Sequence, residues 1–338
     1  MVTPSVTLAQ VARHAGVSQS TVSYVLSGKR SISPATRRRV ERSIATLGYH
    51  PHAGARALAS RRSNVIALMV PLREELSLPV TMDFIAAVVT AARGVDHDVL
   101  LLTSAEGPEG VRRVARTAMV DGLVVMDVAM HDERIPALLE AGRPAVLIGV
   151  PEHTAGLTCV DLDFYAAGAA CVEHLAALGH RSVAMIGLDP AVYRRGSGFA
   201  ERSLAGFESR ARQHELRASH HALDAAHDDV GALLARVLEA RDPPTGLVVH
   251  NELALAALLD ALRAAGRRVP EDVSIVAICP DAMAEQARPR LSSVHLPAEE
   301  LGRRAVEMLM HKLGGDSAVG ATLLPPVLTP RESSAPPI

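Results

Sequence analysis

Apolar residues in the first fifty positions recur every three or four residues, and from Asn64 onward they gather into short unbroken runs. The first pattern is helical. Leu8, Val11, Ala12, Val17, Val22, Val25, Leu26, Val40, Ile44 and Leu47 can close over one another as the core of three short helices. Thr7-Leu8-Ala9-Gln10 reads as a capping box that opens a first helix to about Ala15, and Gly16 ends it. Ser18 caps a second helix over 19–26. Ser33 caps a third, with Pro34 at the tolerated first position, running to about Leu47 before Gly48.

The second pattern predicts strands at 65–70, 99–103, 122–126, 145–149, 182–187, 246–250 and 273–278, with amphipathic stretches between them. Continuous apolar strands separated by helices belong to parallel sheets covered on both faces. The expected fold is therefore an N-terminal all-α module followed by an α/β body of two doubly wound parallel-sheet lobes. Ligands bind such sheets in the crevice beyond the carboxyl ends of the strands. No internal repeat or low-complexity tract stands out, and only the tail Ser333-Ser-Ala-Pro-Pro-Ile reads as disordered.

Composition excludes some function classes. No apolar run reaches the roughly eighteen residues of a membrane span, and Met1-Val-Thr-Pro-Ser-Val-Thr-Leu does not read as a signal peptide. Cys159, Cys171 and Cys279 have neither zinc nor disulfide spacing. Reduced, buried thiols in a cytoplasm are expected. Gly196-Ser197-Gly198 lacks the outer residues of a nucleophile elbow, and no glycine-rich run ends in Gly-Lys-Ser/Thr. His220, His221 and His227 lie near Asp224 and Asp228, between the expected elements, where a solvated surface is preferred over a metal site. No catalytic set, metal or cofactor is expected.

Charge sharpens the picture of the first module. Residues 1–62 carry ten Lys or Arg against Glu41 alone, leaving +9 there and −11 on the remainder of a chain whose net charge is −2. A basic module on an acidic body is the footprint of a nucleic-acid binder. The turn Ala15-Gly16-Val17-Ser18 gives the first two helices a helix-turn-helix layout, in which the second helix offers its N-terminal residues to the major groove. Gln19, Ser20 and Tyr24 are then placed to read bases, while Thr21 and Ser23 can reach phosphates.

Read whole, residues 6–29 resemble the LacI/GalR family of bacterial repressors. The resemblance continues through Ser33-Pro34-Ala35-Thr36-Arg37, Leu47-Gly48-Tyr49-His50-Pro51 and Ala55-Arg56-Ala57-Leu58. Tyr24 departs from it, standing where many members have a base-contacting arginine. The resemblance implies a DNA-binding module over 1–50 and a hinge helix within 51–62 that forms on operator DNA and presses Leu58 into the minor groove. Nine or so residues including Gly54 are too few for a stable isolated helix, and an apolar wedge of this kind bends DNA onto more protein surface. Thr7, Ser18, Lys29, Tyr49, His52, Ala55 and Arg56 join the implied DNA-facing set.

The likeness extends over 63–338 through Val160-Asp161-Leu162-Asp163, residues 173–181, Arg268-Val269-Pro270-Glu271-Asp272 and residues 297–302. It implies a periplasmic-binding-protein-like body threaded by three crossovers. One lobe would hold about 63–161 and 291–321, the other about 162–290 and 322–332. Effector contacts implied by position are Asn251, Asp163, Asp281 and the loop from Leu78 to Phe84. Ser203 replaces a frequent arginine, with Arg202 beside it. Val150 also stands where arginine is common, and Cys279-Pro280 replaces an acidic pair. Of the six aromatics outside the DNA module, Phe84, Phe164, Tyr165, Tyr193, Phe199 and Phe207, one or two could stack on a sugar.

The expectation is a transcriptional regulator, preferably a repressor, that binds an inverted-repeat operator as a homodimer. A small effector, a neutral sugar or oligosaccharide first and a purine or other metabolite second, would release it or act as corepressor. The competing reading is a solute-binding protein, which would carry a signal peptide and no basic module.

Overall fold

The computed structural model describes residues 6–27, 30–49, 62–104, 106–117 and 119–338. Three helices form the N-terminal module: α1 (Leu8–Ala15), α2 (Gln19–Ser27) and α3 (Pro34–Leu47). Local side chains set their ends. Gln10 reaches back to the Thr7 backbone N–H at 2.7 Å and Thr7 Oγ1 accepts from Gln10 N, closing the capping box. Gly16 and Gly48 end α1 and α3 in the left-handed region at φ 61° and 62°, which glycine enters without steric cost. Val11, Ala12, Ala15, Val22, Val25, Val40 and Tyr49 bury themselves as the module's core. His14 shares a 3.0 Å hydrogen bond with the buried Ser43, tying α1 to α3.

The body holds two six-stranded sheets. The first contains β1 (Val65–Met69), β2 (Asp98–Leu102), β3 (Gly122–Val125), β4 (Ala145–Ile148), β5 (Thr158–Leu162) and β11 (Gly320–Leu324). Its order is β11-β5-β4-β3-β1-β2, all parallel. The second contains β6 (Ser182–Gly187), β7 (Arg217–Ala222), β8 (Gly246–Val249), β9 (Ser274–Cys279), β10 (Ser292–His295) and β12 (Leu328–Thr329). Its order is β12-β10-β9-β8-β6-β7, with only β12 antiparallel. Each expected strand is present within one residue at either end, and both sheets follow the doubly wound pattern.

Helices cover the sheets: α4 (Leu78–Arg93), α5 (Gly107–Arg116), α6 (Arg134–Glu140) and α13 (Ala298–Leu313) lie with the first lobe. With the second lie α7 (Phe164–Ala177), α8 (Pro190–Arg194), α9 (Gly198–Gln213), α10 (Val230–Leu238), α11 (Leu255–Ala264) and α12 (Asp281–Gln286). One core runs through both, joining Ile66, Leu68 and Val124 to Met185, Val248 and Val276. The lobes also repeat a local device. β3 and β8 are the same tetrapeptide, Gly-Leu-Val-Val, and a Cβ on Gly122 or Gly246 would strike Leu309 of α13 or Leu175 of α7 at 2.8 and 3.0 Å. Glycine there lets a covering leucine seat on the strand.

Two expectations need correction. Residues 292–295 pair with β9 and therefore belong to the second lobe, and β11 keeps the chain in the first lobe to Leu324. The crossovers thus fall after β5, after β10 and after β11, later than 291 and 321. The tail is ordered rather than loose. Ser333 is fully buried, its hydroxyl donates to Ile275 O at 2.7 Å, and Ser274 Oγ donates to Ala335 O at 3.0 Å. Small polar residues resemble a disordered tail in composition, but here they bond to the first residues of β9 and to Ser292 of β10.

Candidate functional site

The recognition face is the N-terminal half of α2. Val22 and Val25 are buried, which turns Gln19 and Ser20 fully outward and leaves Thr21, Ser23 and Tyr24 half-buried on the flank. Ser18 caps the helix, its Oγ accepting from Thr21 N at 3.2 Å and sharing a 2.9 Å bond with the Thr21 hydroxyl. The Arg30 guanidinium lies 5.8 Å over the Tyr24 ring, within cation–π reach. Arg13, Arg30, Arg37, Arg38, Arg39 and Arg42 make no ion pair among the described residues, so their charge is available to an external anion. Thr7 is exposed and serves its capping box. Tyr49 packs in the module core at 5% exposure. Lys29, His52, Ala55, Arg56 and Leu58 lie outside the described residues.

Where the chain leaves the linker it is pinned. Asp121 accepts the backbone N–H groups of Ser63 and Asn64 at 2.7 and 2.8 Å and the Ser63 hydroxyl at 3.0 Å. Arg62 donates to Leu313 O at 3.1 Å. The first strand of the body therefore begins at a fixed point on the first lobe.

The second site is a cleft between the lobes with a volume of about 120 Å³. Its wall comes from both sheets: Val70, Met126, Ile148 and Asp161 from one side, Phe164, Leu188, Phe199 and His250 from the other. Phe164 and Phe199 stand 5.6 Å apart, and His250 stacks on Phe164 at 5.7 Å. Burial pushes His250 down to about 4 and holds it neutral. Ser203 shares a 2.8 Å bond with His250 Nδ1 beneath the wall.

Beside the cleft the lobes are fastened together. Arg195 bonds Glu75 at 2.6 Å and approaches Asp127 at 3.4 Å, and Arg73 holds the same Asp127 at 2.7 Å. Met130 N donates to Gly196 O at 2.7 Å and Gly198 N to Val128 O at 3.0 Å. Arg202 reaches across to the carbonyls of Val150 and Pro151.

Of the expected effector segment 78–84, Val80, Thr81 and Phe84 line the cleft, as do Phe164 and Phe199 among the aromatic candidates, whereas Asp163, Arg202, Ser203, Asn251, Cys279 and Asp281 do not. Leu78 begins a helix instead of sitting in a loop, and is 53% exposed. Asn251 is 3% exposed, and both its amide hydrogens are spent on Gly187 O and Leu223 O at 2.9 Å. Asp163 caps α7 through Ala166 N. Asp281 pairs with Arg331 at 2.9 Å. Arg202 and Ser203 are engaged as described, and the buried Cys279 thiol is pushed up to about 12 by desolvation. All three cysteines are free and buried. His220 and His221, expected between elements, lie on β7 instead, and His227 shares a 2.9 Å bond with Asp224. No helix among the described residues is long and apolar enough to cross a membrane. Asp161 and Glu252, which do line the cleft, escaped the sequence reading. The available signal was an acid set between Val160 and Leu162 in a buried strand.

Residues 7–52 match the family of bacterial regulatory proteins, lacI family, and residues 172–334 match a periplasmic binding protein-like domain. The HTH-type transcriptional regulator CelR of Thermobifida fusca is 33% identical over 92% of this chain and 93% of its own length. Catabolite control protein A of Staphylococcus xylosus is 28% identical over 90% of this chain and 92% of its own. Among solved structures, a transcriptional regulator CelR–cellobiose complex superposes with TM-score 0.69 at 29% identity, covering 97% of this chain and 100% of that one. A lac repressor dimer bound to operator and the anti-inducer ONPF gives TM-score 0.83 at 25% identity, covering 98% and 100%.

Proposed function

The chain belongs to the lacI family of bacterial regulatory proteins, a DNA-binding transcription regulator and not an enzyme, and we propose on that premise that it is a sugar-responsive repressor. In this reading two copies grip an inverted-repeat operator, and a sugar or oligosaccharide in the interlobe cleft releases them. The carrying observation is one chain with two sites: an outward α2 face on a module whose arginines make no ion pair among the described residues, and a cleft lined by residues of both lobes. The likeness to a regulator solved with cellobiose favours a saccharide.

Dimerisation has a candidate surface. Leu78, Met82 and Val89 form an apolar stripe along α4 that faces outward at 53%, 47% and 37% exposure, and Leu253 adds 41%. A second copy related by two-fold symmetry would cover it with the same stripe. Two modules of +9 then face two half-sites, so affinity falls steeply with salt as counterions are no longer released to advantage. Gln19 and Ser20 read base edges, and the arginines position the module on phosphates.

Effector binding acts through the lobes. Asp161 and Phe164 lie on either side of the first crossover, and a ligand touching both lobes favours one closure angle over another. The Asp121 anchor carries any shift of the first lobe to the start of the linker. Fluorescence anisotropy on DNA from upstream of the chain's own coding region, across salt and with cellobiose first in a sugar panel, tests the reading. Salt-steep binding that a sugar abolishes is expected. Absence of sequence-preferring binding would sink it.

A further inference from the structure

The polar wall of the cleft carries one sign of charge. Its ionisable residues are Asp127, Asp161, Glu252 and His250, and no lysine or arginine lines it among the described residues. Asp127 is already paired with Arg73 and Arg195. The other two carboxyls have no cation in contact among the described residues. Asp161 is 5% exposed and accepts only from Leu162 N at 2.9 Å. Arg202 acts on it through space while its own donors go to Val150 and Pro151. Glu252 is met only by its own backbone N–H. Asp161 ends a strand of the first lobe and Glu252 follows a strand of the second, so the two acids face the cavity from opposite sides of the closure.

We propose that Asp161 and Glu252 set the charge class of the effector: the cleft takes an uncharged polyhydroxylated ligand and rejects its phosphorylated and carboxylated counterparts. This rests on the reading of the cleft as the effector site. Hydroxyls suit these groups because a carboxyl accepts through its oxygens and, when protonated, also donates. The rings of Phe84, Phe164 and Phe199 supply the apolar sides on which a sugar's C–H faces rest. Burial pushes both acids up to about 7, so near neutrality they can stay uncharged beside a neutral ligand. An anion would find no fixed cation to neutralise it, and any ionised acid would repel it. A ligand bonded to both acids also spans the two lobes, which links charge selection to closure.

The test is calorimetric titration of the full-length protein at pH 7 with matched pairs: cellobiose and cellobionate, glucose and glucose 6-phosphate, galactose and galacturonate, with glucosamine added. A neutral member should bind, and its acid or phosphate should bind roughly a hundredfold more weakly. Glu252→Gln and Asp161→Asn, made separately, should each narrow that gap to about tenfold or less. The wild-type gap needs no variant to fold. An anionic member binding within tenfold of its neutral mate, a preference for glucosamine, or a gap unmoved in both folded variants overturns the inference alone. Binding by no member of the panel overturns the saccharide reading, and the inference falls with it.

Discussion

In the N-terminal module, each helix start is served by a side chain three residues away: Thr7 with Gln10, Ser18 with Thr21, Ser33 with Thr36. In the cleft the partners are remote. Arg195 meets Glu75 and Asp127 across 120 and 68 residues, and Ser203 meets His250 across 47. One region is assembled by neighbours along the chain, the other by surfaces that meet only when two sheets have formed. The same kind of substitution should therefore act by different physics in the two places.

Glycine offers the strongest contrast. A Cβ on Gly206 would lie 1.9 Å from Tyr165 O, and one on Gly168 would lie 2.0 Å from Ser203 O, because α7 and α9 pack backbone to backbone. Gly206→Ala must drive these helices apart and should cost about 3 kcal/mol or more. In the module, Gly16 has open space around its missing side chain and a φ of +61°. Gly16→Ala meets only backbone strain, worth about 1 kcal/mol. Chemical denaturation of both variants, followed by circular dichroism, checks the ratio. Equal losses would show that the two regions are not built differently.

The same distinction explains what was legible in the sequence. The module's helices could be read almost to the residue, because caps and glycine stops sit next to what they terminate. Seven strands were legible as apolar runs. β5, β7, β10, β11 and β12 were not: an aspartate interrupts the run of β5, while Arg-Ala-Ser-His-His-Ala of β7 and Ser-Ser-Val-His of β10 look polar and gain their place only from β6 and β9 beside them. The repeated Gly-Leu-Val-Val was in plain view, but its meaning depends on leucines far along the chain. Site residues fared worst. A family template pointed to Asp163 and Asn251, whereas this chain uses the first as a helix cap and locks the second to backbone. Besides the paired Asp127, the acids that face the cavity are Asp161, two positions earlier, and Glu252, one position later.

The second test uses the proton. Asp161 has a folded pKa raised to about 7 by burial, against an ordinary value near 3.8. Between those values the folded state holds more protons than the unfolded one, so the group's contribution to stability declines as pH rises from about 4 to about 7 and then levels. Glu252 has the same sign, while His250, lowered to about 4, opposes both between about 4 and 6.5. Asp161→Asn should thus gain on the wild type by up to about 1.4 kcal/mol per pH unit across that window. Urea unfolding at pH 5, 6, 7 and 8 reads the difference. A constant offset at every pH would place Asp161 in water and undo its part in the cleft.

Arg195→Ala comes next. It leaves Glu75 without its partner and removes one of the two guanidinium groups on Asp127. Arg195 and Glu75 are each about one-fifth exposed, so the loss is discounted from that of a fully buried pair to about 1–2 kcal/mol. We expect this as about a tenfold weaker affinity for whichever sugar the panel finds, with operator binding in its absence unchanged. An unaltered sugar affinity would mean that the lobes close without this fastening.

The smallest expected effect probes the module's independence most directly. Thr7→Ala removes the hydroxyl that accepts from Gln10 N and leaves Gln10 reaching back to the bare backbone N–H of residue 7. Loss of such a cap costs about 1 kcal/mol, and Thr7→Ser should restore most of it because the oxygen is kept. Since α1 packs on α2 and α3 through Val11, Ala12 and Ala15, the strain should spread through that small core and stop there. Hydrogen exchange of peptides covering α1 to α3 should quicken by about fivefold, while peptides from β6, β8 and β9 keep their protection. If those body peptides also lose protection, the two regions share one cooperative unit, and the local instruction seen in the helix caps stabilises far more than the module that carries it.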